Sequence, residues 1–154
     1  MRFFKGLLAL VLTSLVAWPA LAQSEFGTRA EAKIMVDAAV EHLRKVGPEQ
    51  AFKDFTDKSN KAWQNKDLYV FAYTMEGVNV AHGANERLIG KNLIDLKDPA
   101  GKFLIRELRD TAAKGGGWVE YEWPHPQTKK IEQKVSYVRK FVNFEGFIGV
   151  GVYR

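Results

Sequence analysis

Between Gly117 and Arg154 three strand-like stretches follow one another, the first in clear two-residue alternation, and that run constrains the architecture more than any other feature. From Trp118 to Trp123, Val119, Tyr121 and Trp123 share one side while Glu120 and Glu122 take the other. Ile131 to Phe141 forms a second such stretch, reached through Pro124-His125-Pro126, and Phe147 to Tyr153 forms a third. Apolar and polar residues in alternation mark half-buried strands, and short connections between them favour antiparallel pairing. Glycines at 149 and 151 strip one face of the last strand, so something can pack closely over it.

The first half reads differently. Thr28-Arg29-Ala30-Glu31 fits a capping box, in which Thr28 and Glu31 each satisfy a free backbone donor. Ala32, Met35, Val36, Ala39, Val40, Leu43 and Val46 then recur on one helical face. Gly47-Pro48 stops that helix and starts a short second one carrying Phe52 and Phe55. Leu68 to Thr74 and Val78 to His82 form a hairpin about Met75-Glu76-Gly77. Asn85 to Leu96 reads as irregular. A helix beginning at Asp98-Pro99 follows, with Phe103, Leu104, Leu108, Thr111 and Ala112 on its buried side and Gly115-Gly116-Gly117 at its end. The order predicts an α+β domain with one antiparallel sheet of about five strands.

Arg2 and Lys5 precede an apolar stretch from Gly6 to Trp18 that closes with Ala20-Leu21-Ala22. These are the parts of a secretory signal peptide, so residues 1–22 are expected to leave and residues 23–154 to form one periplasmic domain. Pro19 interrupts the stretch before it reaches the roughly 20 apolar residues of a spanning helix. Without cysteine there is neither disulfide nor thiol chemistry. The formal charge of +5 includes Arg2 and Lys5, and the other basic residues are interleaved with acidic ones, which gives no stripe for nucleic acid.

Several short motifs occur in a particular order. They are Asp67-Leu68-Tyr69-Val70-Phe71, Ala81-His82, Leu88-Ile89-Gly90-Lys91-Asn92-Leu93, and Leu96-Lys97-Asp98-Pro99-Ala100-Gly101-Lys102. Gly117 to Pro124, Lys134-Val135-Ser136-Tyr137-Val138 and Gly146 to Tyr153 complete them. From about Ala30 onward the chain resembles the single Cache domains, extracytoplasmic sensor modules of bacterial chemoreceptors and sensor kinases. The resemblance implies a PAS-like sheet with a long N-terminal helix behind it, and a helical crossover enclosing a pocket on the other face. Relatives commonly bind short organic acids there. Gly83 stands where relatives often have proline, and Asn143-Phe144-Glu145 where they often have tryptophans, so the identity of a ligand is not carried over. No output module follows Arg154 in this sequence. The expectation is a free-standing periplasmic domain that binds a small carboxylate and is read by a membrane-bound signalling or transport partner.

Lys134 is the expected anchor, because an ammonium in a partly dry pocket attracts a carboxylate far more strongly than in water. His82, placed by parity with Val78 and Val80, either donates to the ligand and titrates near its usual value of about 6.5, or is a structural histidine. Tyr121 and Trp123 offer apolar area with one polar tip, suited to an acid's tail or to core packing. Tyr137 belongs to the motif but is out of phase with Lys134 on a regular strand. Tyr69 and Tyr73 either border the cavity or fill the core. His42 reads as a surface residue and His125 as a turn residue. There is no G-x-S-x-G, no H-E-x-x-H and no calcium-loop spacing, so neither catalysis nor a metal or other cofactor is expected. Three classes of function stay open: a binding or sensing domain, a scaffold whose pocket is closed by Phe71, Tyr121 and Trp123, and an enzyme or a subunit of one.

Overall fold

A computed structural model describes residues 25–154; the expected signal peptide lies outside them. Helix α1 (Arg29–Val46) begins at the capping box. The Thr28 hydroxyl accepts from the Glu31 N–H at 3.2 Å, and the Glu31 carboxylate accepts from the Thr28 N–H at 2.7 Å. Gly47 adopts a φ of 82° and hands over to α2 (Pro48–Thr56), with proline at the first helical position.

Strands β2 (Leu68–Thr74) and β3 (Asn79–His82) form the hairpin, preceded by a two-residue strand β1 (Gln64–Asn65) that was not expected. A 3₁₀ turn (Glu86–Leu88) and α3 (Leu104–Ala113) cross over to β4 (Gly117–Pro124), β5 (Ile131–Lys140) and β6 (Gly146–Tyr153). The sheet is antiparallel throughout and six-stranded, in the order β1-β2-β6-β5-β4, with β3 also on β2. The last strand in sequence is therefore central, and Gly146 to Val152 are all buried.

Helix α3 starts later than the sequence indicated, at Leu104 after Phe103. Asp98 does not cap it. Its carboxylate accepts from Lys102 N at 2.8 Å and from Glu122 N at 3.2 Å, so it closes its own loop and pins that loop to β4. The competing partner for an aspartate near a helix start was a strand distant in sequence, which local pattern does not reveal.

Period-two alternation divides the sheet into two packed faces. Leu68, Val70, Ala72, Val135, Ile148 and Val150 meet α1 and α2 on one side. Tyr69, Phe71, Tyr73, Val119, Tyr121 and Val138 face the other way, towards Leu104, Ile105 and Leu108 of α3. The second face carries the candidate site.

Candidate functional site

Neighbours in the register decide which side chains meet. Lys134 pairs with Tyr153 and Ser136 with Gly151 on β6, while Lys134 pairs with Tyr121 on β4. A Cβ on Gly151 would lie 2.3 Å from the Lys134 Cε and 2.3 Å from the Ser136 hydroxyl. One on Gly149 would lie 2.3 Å from the Phe71 ring. The two glycines thus make a trough in which the Lys134 stem and the Phe71 ring lie flat on the central strand.

Lys134 is 1% exposed. Its ammonium donates to the Tyr69 hydroxyl at 2.6 Å and sits 4.0 Å from the Tyr69 ring centre, 4.9 Å from that of Tyr153 and 5.5 Å from that of Phe71. The Tyr153 hydroxyl, 3.1 Å from that of Tyr69, donates to the Pro124 carbonyl at 3.0 Å. With that proton committed, Tyr69 donates to Tyr153, and the chain runs Lys134 to Tyr69 to Tyr153 to Pro124. Among the described residues no carboxylate pairs with the ammonium. Burial pushes the Lys134 amine well below the ordinary lysine value, opposed by the charge of Asp67. Burial likewise holds the phenols of Tyr69 and Tyr121 well above theirs.

His82 stacks among Tyr69, Phe71 and Trp123, with ring centres 5.0, 6.5 and 6.4 Å away. Its Nδ1 accepts from the Asn85 N–H at 3.0 Å, which leaves the proton on Nε2. Burial, then the nearby Lys134 charge, lower its pKa to about 3, so it is a neutral donor rather than a group titrating near neutrality. Its placement also departs from simple parity. A register shift between Ala72 and Tyr73 puts a bulge in the hairpin, and Val80 packs with the helix-side core while His82 pairs with Phe71.

The structure brings Lys134, His82, Tyr121 and Trp123 together, with Tyr69, Phe71, Tyr73 and the α3 leucines, around a cavity of about 10 Å³. That is about the space of one water. The Tyr121 hydroxyl is already engaged with Ser136 at 2.8 Å. Tyr137 does not join them. On unbroken β5 it faces α1, packed on Trp118 at 5.2 Å and beneath Lys33 at 5.2 Å. Ser136 and Tyr153, which hold the Tyr121 and Tyr69 hydroxyls, were missed in the sequence, although both follow by parity from Lys134 and Gly151.

Behind the tyrosines, Asp67 is 1% exposed and accepts from the Gly27 N–H at 2.6 Å. Its second oxygen is 3.8 Å from His125 Nε2, and the His125 ring lies 4.6 Å from that of Tyr153. His125 does sit in a turn, where Nδ1 accepts from the N–H groups of Gln127 and Thr128 at 3.2 and 3.3 Å, but it is buried. Asp67→Ala should destabilise the fold by about 1–3 kcal/mol and speed amide exchange at Gly27, because a buried donor loses its acceptor. Urea denaturation and hydrogen exchange would measure both.

A family model described as Single Cache domain 2 matches residues 2–154. The chain is 40% identical over 88 residues to the sensor histidine kinase MctS of Rhizobium johnstonii, covering 57% of this chain and 19% of that protein. It is 30% identical over 94 residues to the methyl-accepting chemotaxis protein CtpM of Pseudomonas aeruginosa, covering 60% and 17%. The chain therefore spans less than a fifth of either curated relative. Among solved structures, a methyl-accepting chemotaxis protein from Vibrio parahaemolyticus superposes with a TM-score of 0.72 at 27% identity, over 81% of this chain and 87% of that one. A Cache chemosensory domain described for its carboxylic acid recognition superposes with a TM-score of 0.68 at 25% identity, over 80% and 91%.

Proposed function

The chain belongs to the Single Cache domain 2 family, and on that premise we propose that it is a periplasmic sensor domain that captures a short organic acid at Lys134. The observation that carries this reading is a fully buried lysine amine whose neighbours are aromatic rings and one phenol, with no carboxylate paired to it among the described residues. A buried cation is unfavourable without a counter-charge, and an incoming carboxylate supplies one. The His82 Nε2–H is the further donor for its oxygens, and Trp123 and the α3 side chains meet its apolar end. A membrane-bound signalling partner would read the occupied state. The likeness to a domain that recognises carboxylic acids supports the ligand class.

The cavity of about 10 Å³ supports a second reading, a scaffold whose pocket stays filled by its own side chains. Against it stands the lysine itself, since a permanently filled core of this kind is better served by an apolar residue.

Calorimetry with acetate, propionate and pyruvate separates the two. In the first reading the free protein holds Lys134 mostly neutral above its lowered pKa, and an anion beside it restores the charge. Binding should then take up as much as one proton. Affinity should fall by up to about tenfold per pH unit as pH rises above that lowered value. Binding enthalpies in buffers of different ionisation heat would show the uptake. Absence of binding by every acid, over a concentration range wide enough for weak ligands, favours the scaffold.

A further inference from the structure

The small cavity around Lys134 borders a much larger hollow of about 300 Å³. Tyr69, His82 and Trp123 line both spaces, so these three side chains are the partition between them. The hollow is bounded on one side by Ala84 and Arg87, after β3, and on the other by Pro126 and Lys129 of the β4–β5 loop. Through Tyr69, Ala84, Pro126 and Lys129 it continues into a basin of about 380 Å³ that adds Lys58, Lys61 and Lys66. The charge there is predominantly positive. The head groups of Arg87, Lys58 and Lys61 have no ion pair among the described residues. Lys129 donates only to the Pro126 carbonyl, at 2.6 Å, and Lys66 is held by Glu31. The single carboxylate in the lining, Asp67, is buried and turned to Gly27.

Of the three partition residues, Tyr69 and His82 are 3% and 2% exposed and are fixed by the hydrogen bonds described above. Trp123 is half-buried on β4, an edge strand, where fewer neighbours oppose its movement. We infer that the basic hollow is the entrance to the pocket, with Arg87 and Lys129 gathering the anion and Trp123 as the door. The inference rests on the proposed acid-binding reading and adds the route and the residues that select for negative charge before the pocket is reached.

An entrance has a kinetic signature that a binding contact lacks, since obstruction slows entry and exit alike. Ala84→Trp should slow association and dissociation of propionate together, on the order of tenfold, and leave Kd unchanged. The double variant Arg87→Glu, Lys129→Glu should slow association on the order of tenfold at low salt, with dissociation unchanged and the difference erased at high salt. Stopped-flow tryptophan fluorescence would give both rate constants.

A second measurement needs no acid. The chain has four tryptophans, and with Trp18, Trp63 and Trp118 replaced by phenylalanine only Trp123 emits. Iodide quenching of Trp123 should fall severalfold on the double charge reversal, whereas quenching by neutral acrylamide should not change. If propionate binds but neither the rate constants nor iodide quenching respond to these variants, the entrance is overturned and the acid-binding reading survives. If no acid binds and iodide quenching responds as expected, the acid-binding reading fails and the anion-gathering mouth stands.

Discussion

Replacing Lys134 by methionine should make the free protein more stable and abolish its response to short acids. The side chain is fully buried, its charge is disfavoured by desolvation, and its one hydrogen bond goes to the Tyr69 hydroxyl. Methionine keeps the length of the stem in the glycine trough and removes the charge. Substituting buried charged groups with apolar ones of similar volume can stabilise by about 1–4 kcal/mol, a rise on the order of 3–15 °C in melting temperature for a domain of this size. The sign of the pH dependence follows from the lowered pKa. The unfolded chain binds a proton at Lys134 that the folded one resists, so wild-type stability rises with pH from the lowered value up to the ordinary one near 10.4. The advantage of the methionine variant should therefore be greatest at low pH and shrink as pH approaches 10. Acid affinity should drop at least about 100-fold, the consequence of removing one partner of a buried charge pair. Thermal unfolding across pH, with calorimetry on the same samples, would decide. A lower melting temperature at every pH would mean that Lys134 serves the sheet rather than a ligand.

Gly151→Ala should lose affinity by about as much, with the opposite effect on stability. The new methyl carbon would lie 2.3 Å from both the Lys134 Cε and the Ser136 hydroxyl. Lysine can bend away, so the fold should survive at a penalty of about 1–3 kcal/mol for overpacking. The ammonium, however, would leave its place beside Tyr69, and an acid would meet an anchor held elsewhere. The two variants form a matched pair in which both fail to bind while stability moves in opposite directions. Unchanged acid affinity in Gly151→Ala would show that the position of the ammonium over the Gly151 trough is not what the ligand requires.

Local signals carried much of this structure. The capping box at Thr28, the Gly47-Pro48 junction and the alternation of β4 depend on residues within a few positions of each other, where sequence patterns are informative. Parity on β5 separated Lys134 from Tyr137, and the motif order pointed to the lysine. Features decided by distant partners were not legible. The bulge opposite Ala72 reassigns Val80 to the other face, yet no glycine or proline marks it. Asp98 follows β4 instead of α3 because the Glu122 N–H happens to be in reach. The neutrality of His82 depends on how deeply four strands and a crossover helix bury it, and on a lysine more than fifty residues away. Closure of the pocket is likewise a sum of side-chain volumes from the whole sheet.

In the proposed reading, the hydrogen bond between Lys134 and Tyr69 makes the protein its own competitor. A phenol tethered 2.6 Å from the ammonium is always present, and any acid must displace it and part the surrounding rings. Half-saturation then lies above the intrinsic dissociation constant by the factor that separates all molecules from the open ones. A detector built in this way ignores traces and answers to abundance. Its threshold is set by ring packing over the trough, which can be retuned by substitutions that never touch the ligand.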